Sequence, residues 1–424
     1  MNLPNAIRIR PIAASAAALL LACASSAAAQ QQYPTRYDPR LPERPAVRDA
    51  LGIVQRDFPQ HVQEWIHLTE IPSPSGHEQE RAAYVREQME RAGLEVTVDS
   101  IGNVTGRRRG EGGGPTVAFA THMDTVHPLG TDLHVRQTGD TLHAPGIFDN
   151  TASIADALAV IRAMNEAHVR TRGDLLFIAT VQEEVGLKGM DWWLAHNPGK
   201  ADLVVAMDGP LGPVNYGALG IYWTRYHFSG PGSHTNTSAG KPNPVRAVAD
   251  AIRAIYEIQI PEGQGGAVYN VGMLSGGKVF NAAPQDASFT MDLRSVNPAL
   301  LDSLDREIDT RAMEAARGQR VGFSKDSVVR NRAGGTEAAL RDRRAHYIVQ
   351  TALDAQRAVG IVGQAEATGS TDANMAVVRG IPAIAIGRAY GGDQHTLNEW
   401  AVASSALPAT KMLLLLAVSL AGLR

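Results

Sequence analysis

The sequence predicts an α/β fold, in which a mixed, mostly parallel sheet flanked by helices is interrupted by a smaller α+β domain. Continuous apolar runs alternate with helical segments, as they do in layered sheets whose strands are buried on both faces. After residue 216 the strands alternate apolar and polar residues, and the pattern of helices and continuously apolar strands returns near residue 336. Acidic residues and histidines follow the apolar runs, at the sheet edge where such folds bind their ligands.

Length and charge set the outline of the molecule. The chain has 424 residues, more than one hydrophobic core usually serves, so two domains are expected. We predict one domain split between residues 46–216 and 336–424, with residues 217–335 inserted into it. Residues 30–45, rich in Gln, Pro and Arg, form a leader. The net charge of −3 argues against a nucleic-acid partner, because bulk attraction to phosphates needs an excess of positive charge.

Residues 1–29 have the organisation of an export signal. A positively charged start precedes a short apolar stretch, and small residues ending at Ala29 offer a cleavage site. We therefore predict an exported protein, periplasmic or secreted. The segment LLAC ending at Cys23 leaves a lipoprotein anchored at that residue as the alternative, and only then would a membrane be a partner. Cys23 is the only cysteine, so cleavage after Ala29 would remove any thiol chemistry.

Apolar periodicity predicts the order of helices and strands. The first part of the chain is expected to form helices at 47–69, around 83–92 and at 151–164, and buried strands at 116–122, 174–184 and 202–208. The insertion is expected to form strands at 221–230, 267–277 and 286–296, with helices at 244–258 and 298–317. The last part is expected to form a long helix at 336–359, a strand within 377–387 and a buried C-terminal helix within 412–423. The last apolar run has about a dozen residues, short of the ~20 that span a membrane.

Five widely spaced groups of acids and histidines follow these apolar runs. They are THMDT with His122 and Asp124, GIFDN with Asp149, QEEVG with Glu183 and Glu184, AMDG with Asp208, and DQHT with His395. Because the carboxyl ends of parallel strands meet at one edge, these side chains are expected to converge. Two histidines and several carboxylates are enough to hold two divalent metal ions. Imidazole and carboxylate ligands favour zinc and leave cobalt and manganese open.

The residue types also indicate individual roles, each beside a purely structural alternative. His122 is a candidate ligand with Asp124 as the partner that orients its ring, although H-x-D alone also fits a polar loop. Asp149 could bridge two cations, or cap the helix that follows it. At a strand end the adjacent glutamates would point to opposite faces, so one can bind metal while the other meets the attacking water, and we choose Glu183 as the general base. A solvated loop is the alternative there, as a turn is for Asp208.

From about residue 50 onward, these motifs resemble the di-zinc exopeptidase and amidohydrolase family of peptidase T, succinyl-diaminopimelate desuccinylase, glutamate carboxypeptidase and aminoacylase. The resemblance implies that the split domain is catalytic and that the insertion is a lid and dimerisation domain. It also implies specific roles: one metal on His122 and Asp208, the other on Glu184 and His395, Asp149 shared by both, Asp124 orienting His122, and Glu183 as general base.

The resemblance extends to substrate-binding residues. GPGSHTNTSAGKPNPVRAV is similar to the lid segment whose histidine, here His234, reaches an active site that is often the partner subunit's; a turn histidine is the alternative. NAAPQDASFTMDLRS is similar to the lid strand whose arginine, here Arg294, holds a substrate carboxylate, with Asn270 as a further contact. GSTDAN matches the substrate loop and puts Gly369 and Ser370 in the site, or caps a helix instead.

The function that follows is metal-dependent hydrolysis of a peptide or N-acyl amide bond in a small substrate with a free terminus. EEVGLKG looks most like the peptidase T branch, so an exopeptidase is the first expectation. An N-acyl amino acid deacylase using the same site is the alternative. A non-catalytic exported binding protein is a third hypothesis, disfavoured because no ligand of the set is missing. A homodimer through the lid is expected.

Overall fold

A computed structural model describes residues 32–261 and 266–424. The predicted export signal at residues 1–29, including Cys23, lies outside these residues, and export stays a prediction. The strands of the described residues are β1 (Glu95–Val98), β2 (Val104–Arg108), β3 (Val117–His122), β4 (Arg136–Thr138), β5 (Thr141–His143), β6 (Leu175–Thr180), β7 (Leu203–Met207), β8 (Pro213–Asn215), β9 (Gly220–Ser229), β10 (Ser233–His234), β11 (Ala267–Gly276), β12 (Ala282–Ala283), β13 (Asp286–Ser295), β14 (Gly322–Asn331), β15 (Gln364–Glu366), β16 (Ala383–Ile386), β17 (Tyr390–Gly392) and β18 (Trp400–Val402).

The helices divide between the two sheets that they cover. In chain order they are α1 (Pro45–Arg56), α2 (Phe58–Glu70), α3 (Gln79–Arg91), α4 (Ala152–Glu166), α5 (Lys188–His196), α6 (Pro244–Tyr256), α7 (Pro298–Gln319), α8 (Glu337–Ala345), α9 (Tyr347–Ala358), α10 (Ala373–Val377) and α11 (Ala406–Ala421). Short helical turns occupy Leu41–Glu43, Ile147–Thr151, Thr235–Thr237 and Ala403–Ser405.

The larger sheet is mixed, with the order β1-β2-β6-β3-β7-β16-β8-β15 within the described residues. The pairs at its centre, β6 with β3, β3 with β7 and β7 with β16, are parallel. Strands β3, β6 and β7 are buried along their whole length, which explains their continuous apolar sequences. Their carboxyl ends therefore meet at one edge of the sheet, and that edge positions the site.

Side chains of the central strands alternate between two layers of helices. Val117 and Phe119 of β3 join the core that includes α1, α4, α9 and α11, whereas Ala118 and Ala120 join the core formed with α5 and α10. Helix α11 is buried along nearly its whole length. The stretch Ala403–Ala421 is long and apolar enough to cross a membrane, but 78% of its apolar window is buried inside the protein, as in the predicted C-terminal core helix.

The inserted segment forms a separate antiparallel sheet in the order β11-β13-β9-β14. Helices α6 and α7 cover one face of it, and the alternating burial of β9 and β13 matches the predicted one-sided strands. Asn243 and Asn297 cap these two helices by accepting backbone N–H bonds. The predicted fold class, a catalytic α/β domain interrupted by an α+β lid, is confirmed. The boundaries at residues 216/217 and 335/336 stay predictions.

Two predicted helices are each broken in the structure. The helix expected over 47–69 is divided at Asp57, which departs from helical geometry, and Pro59 lies in the first turn of α2, where a proline is tolerated because its missing N–H has no helical partner there. The helix expected over 336–359 is divided at His346, which is extended and accepts the N–H of Ile348 through Nδ1 to cap α9. In both cases apolar spacing continues across the break, so periodicity alone did not reveal it.

Candidate metal centre

The predicted polar residues gather in one cavity of about 550 Å³ at the carboxyl edge of the larger sheet. Its walls come from both domains and include the following predicted site residues: Asp149, Glu183, Glu184, Asp208, His395, Arg294 and Ser370. His122 and Asp124 are buried beside it and contact its walls. The five separated sequence groups therefore reach a single site.

His122 ends the buried strand β3 with its two ring nitrogens in different surroundings. Nδ1 lies 3.0 Å from the backbone oxygen of Asp124, and because a carbonyl can only accept, Nδ1 donates. Nε2 lies 3.2 Å from Oδ1 of Asp149 and 3.8 Å from Oδ2 of Asp208. In the neutral ring Nε2 would carry a lone pair among carboxylates, an arrangement that needs a proton or a metal ion between them. Burial lowers the pKa of His122, but its hydrogen bonds with Asp124 and Asp149 outweigh burial and hold that pKa well above its usual value.

Asp124 contributes more to the glutamate loop than to the histidine. Its carboxylate is 3.5 Å from Nδ1 of His122, farther than its own backbone oxygen. Its two oxygens accept the backbone N–H groups of Glu183 at 2.9 Å and Glu184 at 3.2 Å, and the hydroxyl of Ser75 at 2.6 Å. The structure therefore places Asp124 beside His122, as predicted, and adds a link that holds the loop carrying both glutamates.

Glu183 and Glu184 lie in a loop beyond the strand that precedes them. Strand β6 ends at Thr180, so the alternation of strand side chains, expected to separate the two glutamates, does not apply. Oε2 of Glu184 lies 3.1 Å from Nε2 of His395. Among the residues that the structure describes, no partner binds the buried Oε1 of Glu184. Both glutamates line the cavity, and Glu184 also contacts His395.

Asp149 occupies the turn before α4, and the helix-cap alternative is wrong because Thr151 holds that position without a side-chain cap. Oδ1 of Asp149 faces His122, and Oδ2 lies 3.4 Å from Nε2 of His395. The buried Glu399 fixes this turn: it accepts the backbone N–H groups of Gly146 at 2.9 Å, Phe148 at 2.8 Å and Asp149 at 2.7 Å. The two carboxylate oxygens thus point toward two different histidines.

Two residues of this site were missed in the sequence, Glu399 and Arg388. Arg388 follows strand β16 and donates to Oδ1 of Asp149 at 2.8 Å and to Oδ1 of Asp208 at 2.5 Å. It is 1% exposed. The strand-end criterion that selected the acids would have selected Arg388 as well, had it been applied to cations. Glu399 had no such signal, because it lies four residues beyond His395 in an ordinary loop.

Carboxyl groups without enough positive charge surround the cavity. Burial raises the pKa of Glu183 well above its usual range and also raises the pKa of Glu184 and of Asp208. For Asp149 burial acts in the same direction, but Arg388 and His122 outweigh it and hold the pKa well below its usual value. Raised carboxyl pKa values indicate a deficit of nearby cations, which a bound metal ion would correct.

These residues fit a divalent metal ion. Ligand atoms of His122, Asp149 and Glu184 lie within 4.8 Å of one another. Imidazole nitrogens and carboxylate oxygens form a donor set typical of zinc, with manganese and cobalt compatible. Two members of this group also have an acceptor without a donor: Oε1 of Glu184 has no hydrogen-bond partner among the described residues, and Nε2 of a neutral His122 lies among carboxylates. The fit of a metal ion therefore rests on the types of ligand atom and on the local negative charge.

The predicted substrate residues are only partly brought together. Arg294 and Ser370 line the cavity, and Gly369 precedes Ser370 with its carbonyl bound by the N–H of Leu219. Arg294 is held by Asp292 through Nε and Nη2, the latter at 2.8 Å. Asn270 and His234 do not line the cavity of their own chain.

Both outlying residues are exposed on the lid. Oδ1 of Asn270 lies 3.4 Å from the hydroxyl of Tyr256, and Nδ1 of His234 accepts the N–H of Asn236 at 3.2 Å. A contact between Asn270 and a substrate in the cavity of the same chain is not supported, because Asn270 does not line that cavity. His234 does not reach the cavity of its own chain, and its role in a partner subunit's site stays a prediction.

Fold and site together define a class: an α/β protein with candidate metal ligands at the edge of its larger sheet and an inserted domain that lines the same cavity. The chain belongs to Peptidase family M20/M25/M40, whose family model matches residues 118–419. This is a family of metal-dependent peptidases and amidohydrolases, so the resemblance inferred from the motifs is confirmed, as is the assignment to hydrolytic enzymes.

Individual relatives are more distant. Protein YqjE of Bacillus subtilis (strain 168) is 24% identical over 356 residues, covering 80% of this chain and 92% of that protein. The LysW-lysine hydrolase of Deinococcus radiodurans is 38% identical over 120 residues, but this match spans 28% of this chain and only 32% of that protein. The solved structure of aminopeptidase PepT from Bacillus cereus ATCC 10987 has a TM-score of 0.70 at 19% identity, covering 86% of this chain and 99% of that one, which shows a shared fold.

The role of Glu399 yields a testable prediction. Glu399→Gln replaces one accepting oxygen with a donor, which would face a backbone N–H in the turn that carries Asp149. We expect Zn²⁺ affinity, measured by calorimetric titration of chelator-treated protein, to fall about 10–100-fold, as is typical when a partner of a metal ligand is lost. Glu337→Gln on the surface of α8 is the control and should bind like wild type. Equal affinities of both variants would contradict the assigned role.

Proposed function

We propose that this protein is an exopeptidase that uses two divalent metal ions, most simply Zn²⁺, to hydrolyse a peptide bond next to a free terminus of a small peptide. The observation that carries the proposal is the carboxylate of Asp149, whose two oxygens face His122 on one side and His395 on the other. Two cations held close together need such a shared carboxylate to offset their repulsion. Asp208 lies on the side of His122, and Glu184 lies on the side of His395.

The five proposed metal ligands, which we call the metal cradle, are His122, Asp149, Glu184, Asp208 and His395, and together with Glu183 they divide the chemistry between them. His122 and Asp208 would hold one ion, Glu184 and His395 the other, and Asp149 both. When bound, the ions would lower the pKa of a coordinated water to about 7 and would polarise the scissile carbonyl. Glu183 lines the cavity beside the proposed ligands, and in this proposal it would take a proton from the attacking water and pass it to the leaving amine.

The lid supplies the opposite wall of the cavity. Ile221, Arg294 and Asn331 are neighbours across three strands of the lid sheet, and all three line the cavity. Arg294, oriented by Asp292, would bind a terminal carboxylate of the substrate, while Ser370 approaches from the catalytic domain. Leu187, Trp223 and Val329 add an apolar section of the wall, which suits a substrate with an apolar side chain. The peptidase T-like branch remains part of the proposal, supported by the EEVGLKG motif and by a neighbour in fold that is an aminopeptidase.

The decisive test combines metal removal with loss of the base. Glu183→Gln cannot accept a proton, so we expect kcat to fall by about 10²–10⁴-fold, while Zn²⁺ content stays at the wild-type level because no predicted ligand is changed. Rates would be measured on di- and tripeptides with free and blocked ends and on N-acyl amino acids, with Glu337→Gln as the control.

Each result of this test is informative. Full activity after exhaustive chelation would contradict metal dependence, and an unchanged rate for Glu183→Gln would contradict its role as base. Hydrolysis of N-acyl amino acids with free peptides untouched would favour the deacylase. Zn²⁺ bound without any hydrolysis would favour the binding protein.

We also propose a homodimer formed through the lid. Strand β11 is an outer strand of the lid sheet, and it exposes Val268, Met273 and Leu274 by 64%, 58% and 67%. Exposed apolar residues on a strand whose outer edge has no neighbouring strand in the sheet favour pairing with another chain. His234 belongs to the same domain and is exposed, away from the cavity of its own chain. In such a dimer His234 would stabilise the oxyanion in the partner's site.

Mixing two inactive variants tests this arrangement. His234→Ala lacks the lid residue and Glu183→Gln lacks the base, so each alone should be nearly inactive. A heterodimer has one site with both residues intact, and random pairing in a two-fold dimer restores about a quarter of wild-type activity. Light scattering would measure the mass of each sample. A fully active monomer, or no recovery on mixing dimeric variants, would contradict the role of His234 in the partner's site.

Export is the last part of the proposal, and residues 1–29 alone support it. After expression in a bacterial host, mass spectrometry of the periplasmic fraction should find a chain that begins at Gln30. A lipid-modified chain that begins at Cys23 would instead support the anchored form. An uncleaved chain confined to the cytoplasm would contradict both.

A further inference from the structure

Arg388 is a buried cation whose guanidinium joins two of the predicted metal ligands. Nη1 donates to Oδ1 of Asp208 at 2.5 Å, and Nη2 donates to Oδ1 of Asp149 at 2.8 Å. Nε donates to the backbone oxygen of Phe148, and the ring of Phe148 lies 4.4 Å from the guanidinium carbon. Nε, Nη1 and Nη2 of Arg388 therefore all donate hydrogen bonds, and only the planar guanidinium group of arginine offers three donors in this arrangement.

The bonds of Arg388 also orient the oxygens of both carboxylates. Asp208 uses Oδ1 for the arginine and turns Oδ2 toward Nε2 of His122. Asp149 offers Oδ1 to Arg388 and His122, and turns Oδ2 toward His395. Each carboxylate is held from one side and presents its other oxygen to a histidine of the cradle.

We propose that Arg388 is a positioning residue of the metal centre: it fixes the orientation of Asp149 and Asp208 and balances their charge while no metal ion is bound. The proposal rests on the metal-dependent function proposed above and assigns a residue that the ligand set does not include. Arg388 touches neither the cavity nor a substrate in it, so it acts through the two carboxylates.

Charge explains why a fork is needed at this place. Two buried carboxylates a few ångströms apart repel each other, and neither is stable as an anion without a partner. His122 contacts both but has one nitrogen for them. Arg388 adds a permanent positive charge with a separate donor for each carboxylate. The cradle can therefore keep its shape without metal, and a metal ion binds ligands that are already oriented.

Two substitutions separate geometry from charge. Arg388→Lys keeps the positive charge but cannot bind both carboxylates and the Phe148 carbonyl in one plane, whereas Arg388→Met removes the charge as well. Arg162→Met is the matched control, because Arg162 binds the carboxylate of Glu64 through two nitrogens between helices α4 and α2. For each chelator-treated variant, Zn²⁺ stoichiometry and affinity would be measured by calorimetry, and thermal unfolding would be followed with and without Zn²⁺.

We expect both Arg388 variants to bind Zn²⁺ about 10–100-fold more weakly in at least one of their sites. Arg162→Met should lose some thermal stability and keep wild-type affinity. In the metal-free state Arg388→Met should unfold at a lower temperature than Arg388→Lys. If Arg388→Met does not fold, the Lys variant decides the question through affinity alone.

Three outcomes would overturn the proposal. Wild-type affinity in Arg388→Lys and Arg388→Met would show that the arginine does not position the ligands. Tighter binding, or an additional bound ion, would show that the arginine competes with metal instead. A wild-type protein that binds no Zn²⁺, Mn²⁺ or Co²⁺ would overturn the proposed function as well, whereas normal wild-type binding with unaffected variants would overturn this inference alone.

Discussion

The site depends on one buried carboxylate, that of Asp149, whose negative charge is balanced by the groups around it. Each of its oxygens faces a histidine, Arg388 binds it from a third direction, and Glu399 fixes its backbone. Taking an ion of this size out of water costs several kcal/mol even after relaxation, unless good partners surround it. The partners come from segments up to 250 residues away in the chain. Assembly of the site and folding of the domain are therefore coupled through the same interactions.

A second carboxylate, Asp124, ties the catalytic loop to the same centre. Its backbone oxygen fixes the ring of His122, while its side chain binds the N–H groups of both loop glutamates. Asp124 thereby fixes the position of Glu183, the proposed base, in relation to His122, a proposed metal ligand. The surroundings stay acidic: burial raises the pKa of Asp372 to about 7, and this residue accepts a bond from Thr180 at the end of β6. Such an environment favours the binding of cations.

Sequence reasoning located the residues whose position follows from strand direction. His122 ends a parallel strand, Asp208 follows another, and their meeting at one edge needs no knowledge of side-chain contacts. It failed where position depends on tertiary contacts. Glu399 has partners that are remote in sequence, and nothing local distinguishes it from an ordinary loop residue. Arg388 follows the end of β16, so the strand-end criterion missed it only because that criterion was applied to acids and histidines. The breaks at Asp57 and His346 were missed for a related reason, since apolar spacing records the buried face of a helix and not its continuity.

The lid is joined to the cavity by its connections as well as by its wall. The N–H of Gly334 binds the carbonyl of Ala218, so the two segments that enter and leave the lid run side by side. Leu219, in the entering segment, donates its N–H to Gly369 and accepts a bond from the side chain of Asn374. These contacts couple the lid to the GSTDAN loop that borders the cavity. A displacement of the lid would therefore move Arg294 and Ser370 in relation to Glu183, so these contacts determine the shape of the cavity between the two domains.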